Sequence, residues 1–107
     1  MTTSPKAEIL DLLQMAAYQE GSIVSRQITK AEAGNITLFA FDKGQGLSEH
    51  TAPFDALVQI LDGQAEISIA SVSYTLKTGQ SIILPANQTH ALRADQPFKM
   101  LLTMIKA

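Results

Sequence analysis

Residues 56–70 read ALVQILDGQAEISIA: two strand-like runs, ALVQIL and QAEISIA, on either side of Asp62-Gly63. Asp-Gly accepts the positive φ angles of a two-residue type I′ turn, so this stretch predicts a β-hairpin. The pattern extends outward in both directions. Upstream, IVSRQITKA and NITLFAF are strand-like and joined through Ala33-Gly34-Asn35; downstream come VSYTLK, SIILPA, HALRA and KMLLTMIK. Turn signals at Thr78-Gly79, Ala86-Asn87 and Asp95-Gln96-Pro97 separate the later runs. Many short strands with no helix between them predict an all-β, antiparallel barrel or sandwich.

Several of these strands are apolar on both sides. Val58 and Ile60 share one face while Leu57 and Leu61 share the other, and LLTMI near the C-terminus is equally two-sided. A strand with one face in water should alternate with polar residues. The outer face therefore needs a cover, either the N-terminal segment or a second subunit, and a homodimer packed through sheet faces is the expectation.

A short N-terminal α-helix is predicted within residues 1–20. Ser4 suits an N-cap, Pro5 the first helical position and Glu8 the positive end. Ile9, Leu12, Leu13 and Ala16 then form one apolar stripe, and Gly21 is a stop signal. Residues 21–107 follow as the β-domain, so the chain is read as one domain overall.

Composition narrows the function classes. Among 107 residues, 46% are hydrophobic and 17% charged, which suits a globular core and argues against disorder. The formal net charge is -2 and the eight basic residues are scattered, so no nucleic-acid footprint is present. There is no cysteine, which excludes disulfides and thiolate metal sites. No apolar run reaches the length of a membrane span and MTTSPKAEIL lacks a leader pattern. The expectation is a cytoplasmic protein with neither nucleic acid nor membrane among its partners.

The two histidines, His50 and His90, lie in segments with a recognisable spacing. Gly44 is followed by QGLSE, His50, Thr51, Ala52, PFD, Ala56, LVQILD and Gly63. Later, Gly79 is followed by QSIIL, Pro85, Ala86, Asn87, QT and His90. Between Gly44 and about Ala94 the chain resembles the cupin superfamily, small single-domain jelly-roll barrels of the conserved-barrel type. Ala52 and Ala56 stand where that family's first motif carries a second histidine and a glutamate. Asn87 stands at the turn glycine, a mild exchange because Asn tolerates a left-handed backbone. Ala94 stands where an asparagine is often found.

The resemblance implies that His50 and His90 converge inside the barrel, with the side chains of Ala52, Ala56 and Val58 along the same wall. Positions 50, 52, 56, 58 and 60 share one parity, provided the bend at Pro53 preserves it. Glu49 and Asp55 have the opposite parity and point away unless a bulge re-aims them. Zinc sites take about four ligands, and catalytic ones about three from protein plus water. Two imidazoles alone therefore make a weak site for a divalent Zn, Ni, Mn or Fe ion. Alanines at the missing ligand positions leave an apolar pocket, so small-molecule binding through His50, His90, Ala52, Ala56 and Val58 is the leading expectation. The alternatives are a metal-dependent enzyme of the dioxygenase, isomerase or decarboxylase kinds that the resemblance implies, and a degenerate structural or interaction barrel. Ser48, His50 and Asp55 lack the context of a catalytic triad, and GQG at 44–46 lacks the helix and lysine of a phosphate loop. Arg26 and Arg93 read as solvated surface residues.

Overall fold

The computed structural model describes residues 3–106. A one-turn helix, α1 (Leu12–Met15), precedes eight strands: β1 (Ile23–Ala31), β2 (Gly34–Phe41), β3 (Gly46–His50), β4 (Asp55–Ile69), β5 (Val72–Lys77), β6 (Ser81–Leu84), β7 (His90–Arg93) and β8 (Phe98–Ile105). All pairings are antiparallel, in the order β1-β2-β8-β4-β7-β3, with β5 and β6 also hydrogen-bonded to β4. The fold is the expected jelly roll, a sheet curled on itself around one interior.

β4 makes the curl. The expected Asp62-Gly63 hairpin does not form; β4 runs through that dipeptide as a 15-residue strand. The left-handed backbone that Gly63 offers (φ 78°) is used in a bulge instead, where the register against β8 slips between Ile60 and Asp62. One extra residue changes the parity of the buried side chains. Ala56, Val58 and Ile60 face inward before the bulge, and Ala65, Ile67 and Ile69 after it, all in one core cluster. The strand can thus leave its pairing with β6 and β8, join β5 and β7, and keep the same inner side. Phe98 caps the bend from β8, stacked on Phe41 with ring centroids 4.6 Å apart.

The hairpin lies seven residues further on. Ala70 and Ser71 carry φ angles of 48° and 69° between the paired residues Ile69 and Val72. Neither is glycine or asparagine, so the local sequence gave no sign of it. Asn87, by contrast, adopts the left-handed conformation expected of it, with φ 64°.

The helix expected across residues 1–20 is reduced to the single turn α1; its first two residues lie outside the described residues. Ser4 is no N-cap, since its backbone N–H donates to the Ile28 carbonyl of edge strand β1 at 2.9 Å. Ala7 turns the chain with φ 59°. The expected stripe is split: Leu12 and Ala16 pack inward, whereas Ile9 is fully exposed and Leu13 partly so. The reason is tertiary. A helix this short is marginal in water, while an extended strap lays Leu10, Leu12, Met15, Ala16 and Tyr18 on the outer apolar face around Ile28, Leu38 and Ala40.

Polar contacts clamp this strap to the bend. The Tyr18 hydroxyl donates to the Asp62 carboxylate at 2.5 Å, and Lys99 Nζ donates to the Leu13 carbonyl at 2.6 Å while lying 5.0 Å from the Tyr18 ring centroid. Burial first, then the Asp62 carboxylate, push the Tyr18 phenol well above its ordinary range. The strap covers Leu61 and Leu101 but leaves Ile83 and Ile105 of the same outer face bare. Among the described residues no helix is long and apolar enough to cross a membrane.

Candidate functional site

β3 and β7 place the two histidines directly opposite each other. Leu47 pairs with Leu92 and His50 with His90, with a register slip between the two pairs. From Leu47, unbroken alternation would set Glu49 across from His90. The slip inserts one residue and presents His50 there instead. His90 also pairs with Ile69 of β4, which in turn pairs with Val72 of β5. His50, His90, Ile69 and Val72 therefore form one row across four strands, and the next row carries Leu47, Leu92, Ile67 and Tyr74.

The rings meet edge to face, centroids 4.3 Å apart, with the two Nε2 atoms separated by 3.1 Å. His90 is only 7% exposed, whereas His50 is open to solvent. Each Nδ1 faces a backbone carbonyl two residues earlier: His50 with Ser48 at 2.7 Å and His90 with Gln88 at 3.2 Å. A carbonyl only accepts, so each Nδ1–H must donate, which leaves both Nε2 atoms as bare acceptors. Two neutral imidazoles hold two N–H protons, but the three contacts require three. With both rings neutral, the Nε2–Nε2 contact needs a donor or cation from outside the pair.

That requirement is also the test of a metal. A 3.1 Å separation suits two imidazole ligands each about 2.0–2.1 Å from one divalent ion. The rest of the coordination shell is missing from the protein: no group of three His, Asp or Glu side chains gathers among the described residues. Asp55 is committed elsewhere, accepting from the Ala86 N–H at 2.8 Å. His50 and His90 can supply two ligands to an ion, and any others would have to come from outside the described residues.

The parity argument across Pro53 does not survive the fold, because the chain leaves β3 after His50 and begins a new strand at Asp55. Ala52 lies between them, its carbonyl accepting the Asn87 N–H at 2.7 Å. Ala56 and Val58 sit in the interior cluster, opposite Leu84 and Ile82 on β6 and Met104 and Leu102 on β8. Val58 has no exposed surface. Sequence reasoning missed Ile69, Val72 and Tyr74, whose place in the histidine rows follows only once the hairpin is set at Ala70-Ser71. The triad geometry is absent: Asp55 turns to Ala86, and Ser48 meets His50 through its carbonyl. Arg93 pairs with Asp95 at 2.8 Å on the surface.

Burial holds the His90 pKa below that of a free imidazole, with the Gln88 carbonyl partly opposing it and His50 adding to it. Below about pH 6.5 the unfolded chain takes up a proton that folded His90 resists. Stability present above that pH is therefore lost as the pH falls towards the folded value. In chelator, the urea midpoint should drop between pH 7.5 and 5.0, and His90→Gln should flatten part of that drop. Equal slopes for both proteins would remove His90 as the cause.

Comparisons with known proteins bear on the family and the fold. The family model for the cupin domain matches residues 37–105. A conserved protein of unknown function from Streptococcus pyogenes is 38% identical with a TM-score of 0.91, the match covering 100% of this chain and 96% of that one. A cupin 2 conserved barrel domain protein from Leptotrichia buccalis is 40% identical with a TM-score of 0.88; the match covers 91% of this chain but 47% of that one, so this chain spans about half its length. A cupin superfamily protein from Desulfitobacterium hafniense is 26% identical over 99% of this chain and 97% of that one, with a TM-score of 0.90. A search of curated proteins finds no match.

Proposed function

The chain belongs to the cupin family, and from that premise we propose that it binds a small molecule at the His50–His90 pair. One observation supports the reading: two Nε2 atoms lie 3.1 Å apart while both Nδ1 atoms face backbone carbonyls, so both rings present lone pairs to the same point. A structural pair would have arranged one N–H towards the other ring, but both Nδ1 atoms already hold theirs against carbonyls. The ligand is an amphipathic molecule with an acidic or chelating oxygen head. Its head lies at the histidines, and its apolar part lies along Ile69 and the exposed side chains of Val72 and Tyr74. Where a divalent ion takes part, His50 and His90 hold it as two of its ligands, and it supplies a Lewis-acid centre that orients the ligand's oxygens.

Thermal unfolding tests this directly, because anything that binds only the folded chain raises its melting temperature. The probes are Zn²⁺, Ni²⁺, Mn²⁺ and Fe²⁺ alone, small carboxylic and hydroxy acids alone, and each pair together. A hundredfold excess over the dissociation constant contributes about 2.7 kcal/mol, a rise on the order of 10 °C for a domain of this size. The double variant His50→Ala, His90→Ala should lose the rise. No response to any probe, or a response that survives the double variant, overturns the proposal.

A further inference from the structure

The inner wall of the barrel changes character along its rows. Met104 pairs with Ala56 on one side and Asn35 on the other, and Leu102 with Val58 and Thr37. Thr37 then pairs with Gln27 on β1. Residues paired across neighbouring strands share a face, and Ala56, Val58, Leu102 and Met104 belong to or pack on the interior cluster. Gln27, Asn35 and Thr37 therefore face the interior as well. Two amides and a hydroxyl continue rows that are otherwise hydrocarbon. All three are half-buried, as are Leu102 and Met104, so the packed core does not fill the space in front of them.

β4 sets their height relative to the histidines. Ala56 lies seven residues before Gly63 and Ile69 six after it. At about 3.3 Å per residue, the row through Asn35 and the row through His50 and His90 both stand about 20 Å from the bend. Ala52 and Asp55 bond to Asn87 and Ala86 shortly before His90, which ties the two walls together at that end. The crossing is short too. Four residues, 42–45, carry the chain from β2 to β3, enough to bridge the roughly 10 Å between facing sheets and little more. β2 stands across from β3, and its polar side chains stand on the wall across from His50. Asn35 adds an independent observation: its Oδ1 is buried with no hydrogen-bond partner among the described residues. An unpaired buried carbonyl is a cost to the fold that nothing in the fold repays.

We propose that Gln27, Asn35 and Thr37 determine specificity at the histidine site by receiving a hydroxyl group carried beside the ligand's acid head. The proposal rests on the reading of His50 and His90 as a ligand site and names the head that fits it. Amides and hydroxyls both donate and accept, as an alcohol does, and none of the three carries a charge to pair with a second carboxylate. The site is thus polar towards β1 and β2 and apolar towards Ile69, Val72 and Tyr74 on β4 and β5. A hydroxy acid with an alkyl tail matches both sides.

Calorimetric titration with hexanoate and with 2-hydroxyhexanoate, in Zn²⁺ and in chelator, tests this. The hydroxy acid should bind more tightly, and Asn35→Leu and Thr37→Val should each cut its advantage roughly fivefold to tenfold, the equivalent of one net hydrogen bond. Chelation of the ion also favours the hydroxy acid, but equally in every variant, so the change in the ratio of the two dissociation constants is the readout. Asn35→Leu should also raise the urea midpoint of the ligand-free chain, because hydrocarbon replaces an unpaired polar atom. A ratio unmoved by both variants would overturn the proposal and leave the histidine site standing. A lower midpoint for Asn35→Leu would make Asn35 a structural residue and overturn its assignment. Binding of neither acid in either condition would overturn the proposal together with the reading it rests on.

Discussion

Gly63→Ala is expected to cost about 2–5 kcal/mol, a large share of the roughly 5–15 kcal/mol that holds a typical domain folded. Two terms add. The backbone at Gly63 is left-handed, where a non-glycine residue costs roughly 1–2 kcal/mol. The new methyl group would also lie 2.2 Å from the Pro97 carbonyl oxygen and 3.0 Å from the Phe98 Cα. Those atoms are backbone and cannot swing aside, so β8 must move, and forced overpacking of this kind costs about 1–3 kcal/mol. Phe98 would carry the shift into its stack on Phe41. The control is Gly79→Ala, where φ is 89° but nothing lies within 4 Å of the added carbon. Urea midpoints with unchanged slopes give both losses. If Gly63→Ala loses no more than Gly79→Ala, the bulge is not what closes the sheet.

The same position shows what sequence could and could not reveal. Asp62-Gly63 announces a left-handed residue, and the structure has one there. Whether such a residue reverses the chain or bends it depends on what pairs with each side. Here β8 and β6 hold the first half, and β5 and β7 the second. Those partners lie far along the chain, so no local signal distinguishes a hairpin from a bulge. The true reversal uses Ala70 and Ser71, whose composition carries no turn signal; the surrounding strands impose it.

The site divides in the same way. That His50 and His90 meet was legible, because the spacing of glycines, Pro85 and the histidines carries the family's backbone pattern. How they meet was not. From Leu47, alternation points Glu49 inward, and only the slip in β3 substitutes an imidazole for a carboxylate opposite His90. A bulge adds a residue to one strand without a composition of its own. Parity reasoning is therefore least dependable where the site is built.

Removal of residues 1–20 is the second large effect, and it decides whether the strap is an appendage or part of the core. The truncated chain is expected to be insoluble or to lose cooperative unfolding. The strap seals Leu38 and Ala40, both 0% exposed, and Ile28 beside them. Returning two large aliphatic side chains to water costs roughly 3–6 kcal/mol, before the loss of the strap's own Leu10, Leu12 and Ala16 contacts is counted. Asp62 and Lys99 would also lose Tyr18 and the Leu13 carbonyl at the bend. A milder variant separates the polar clamp from the apolar cover. Tyr18→Phe keeps the ring over the sheet but deletes the hydroxyl that Asp62 accepts, and it should cost about 1–2 kcal/mol, as for a hydrogen bond to a charged group near the surface. Chemical denaturation of the full chain, the Tyr18→Phe variant and the truncation should then rank in that order. A truncated chain that unfolds with the full chain's midpoint and slope would show that the curled sheet is complete without its strap, and that Leu38 is covered some other way.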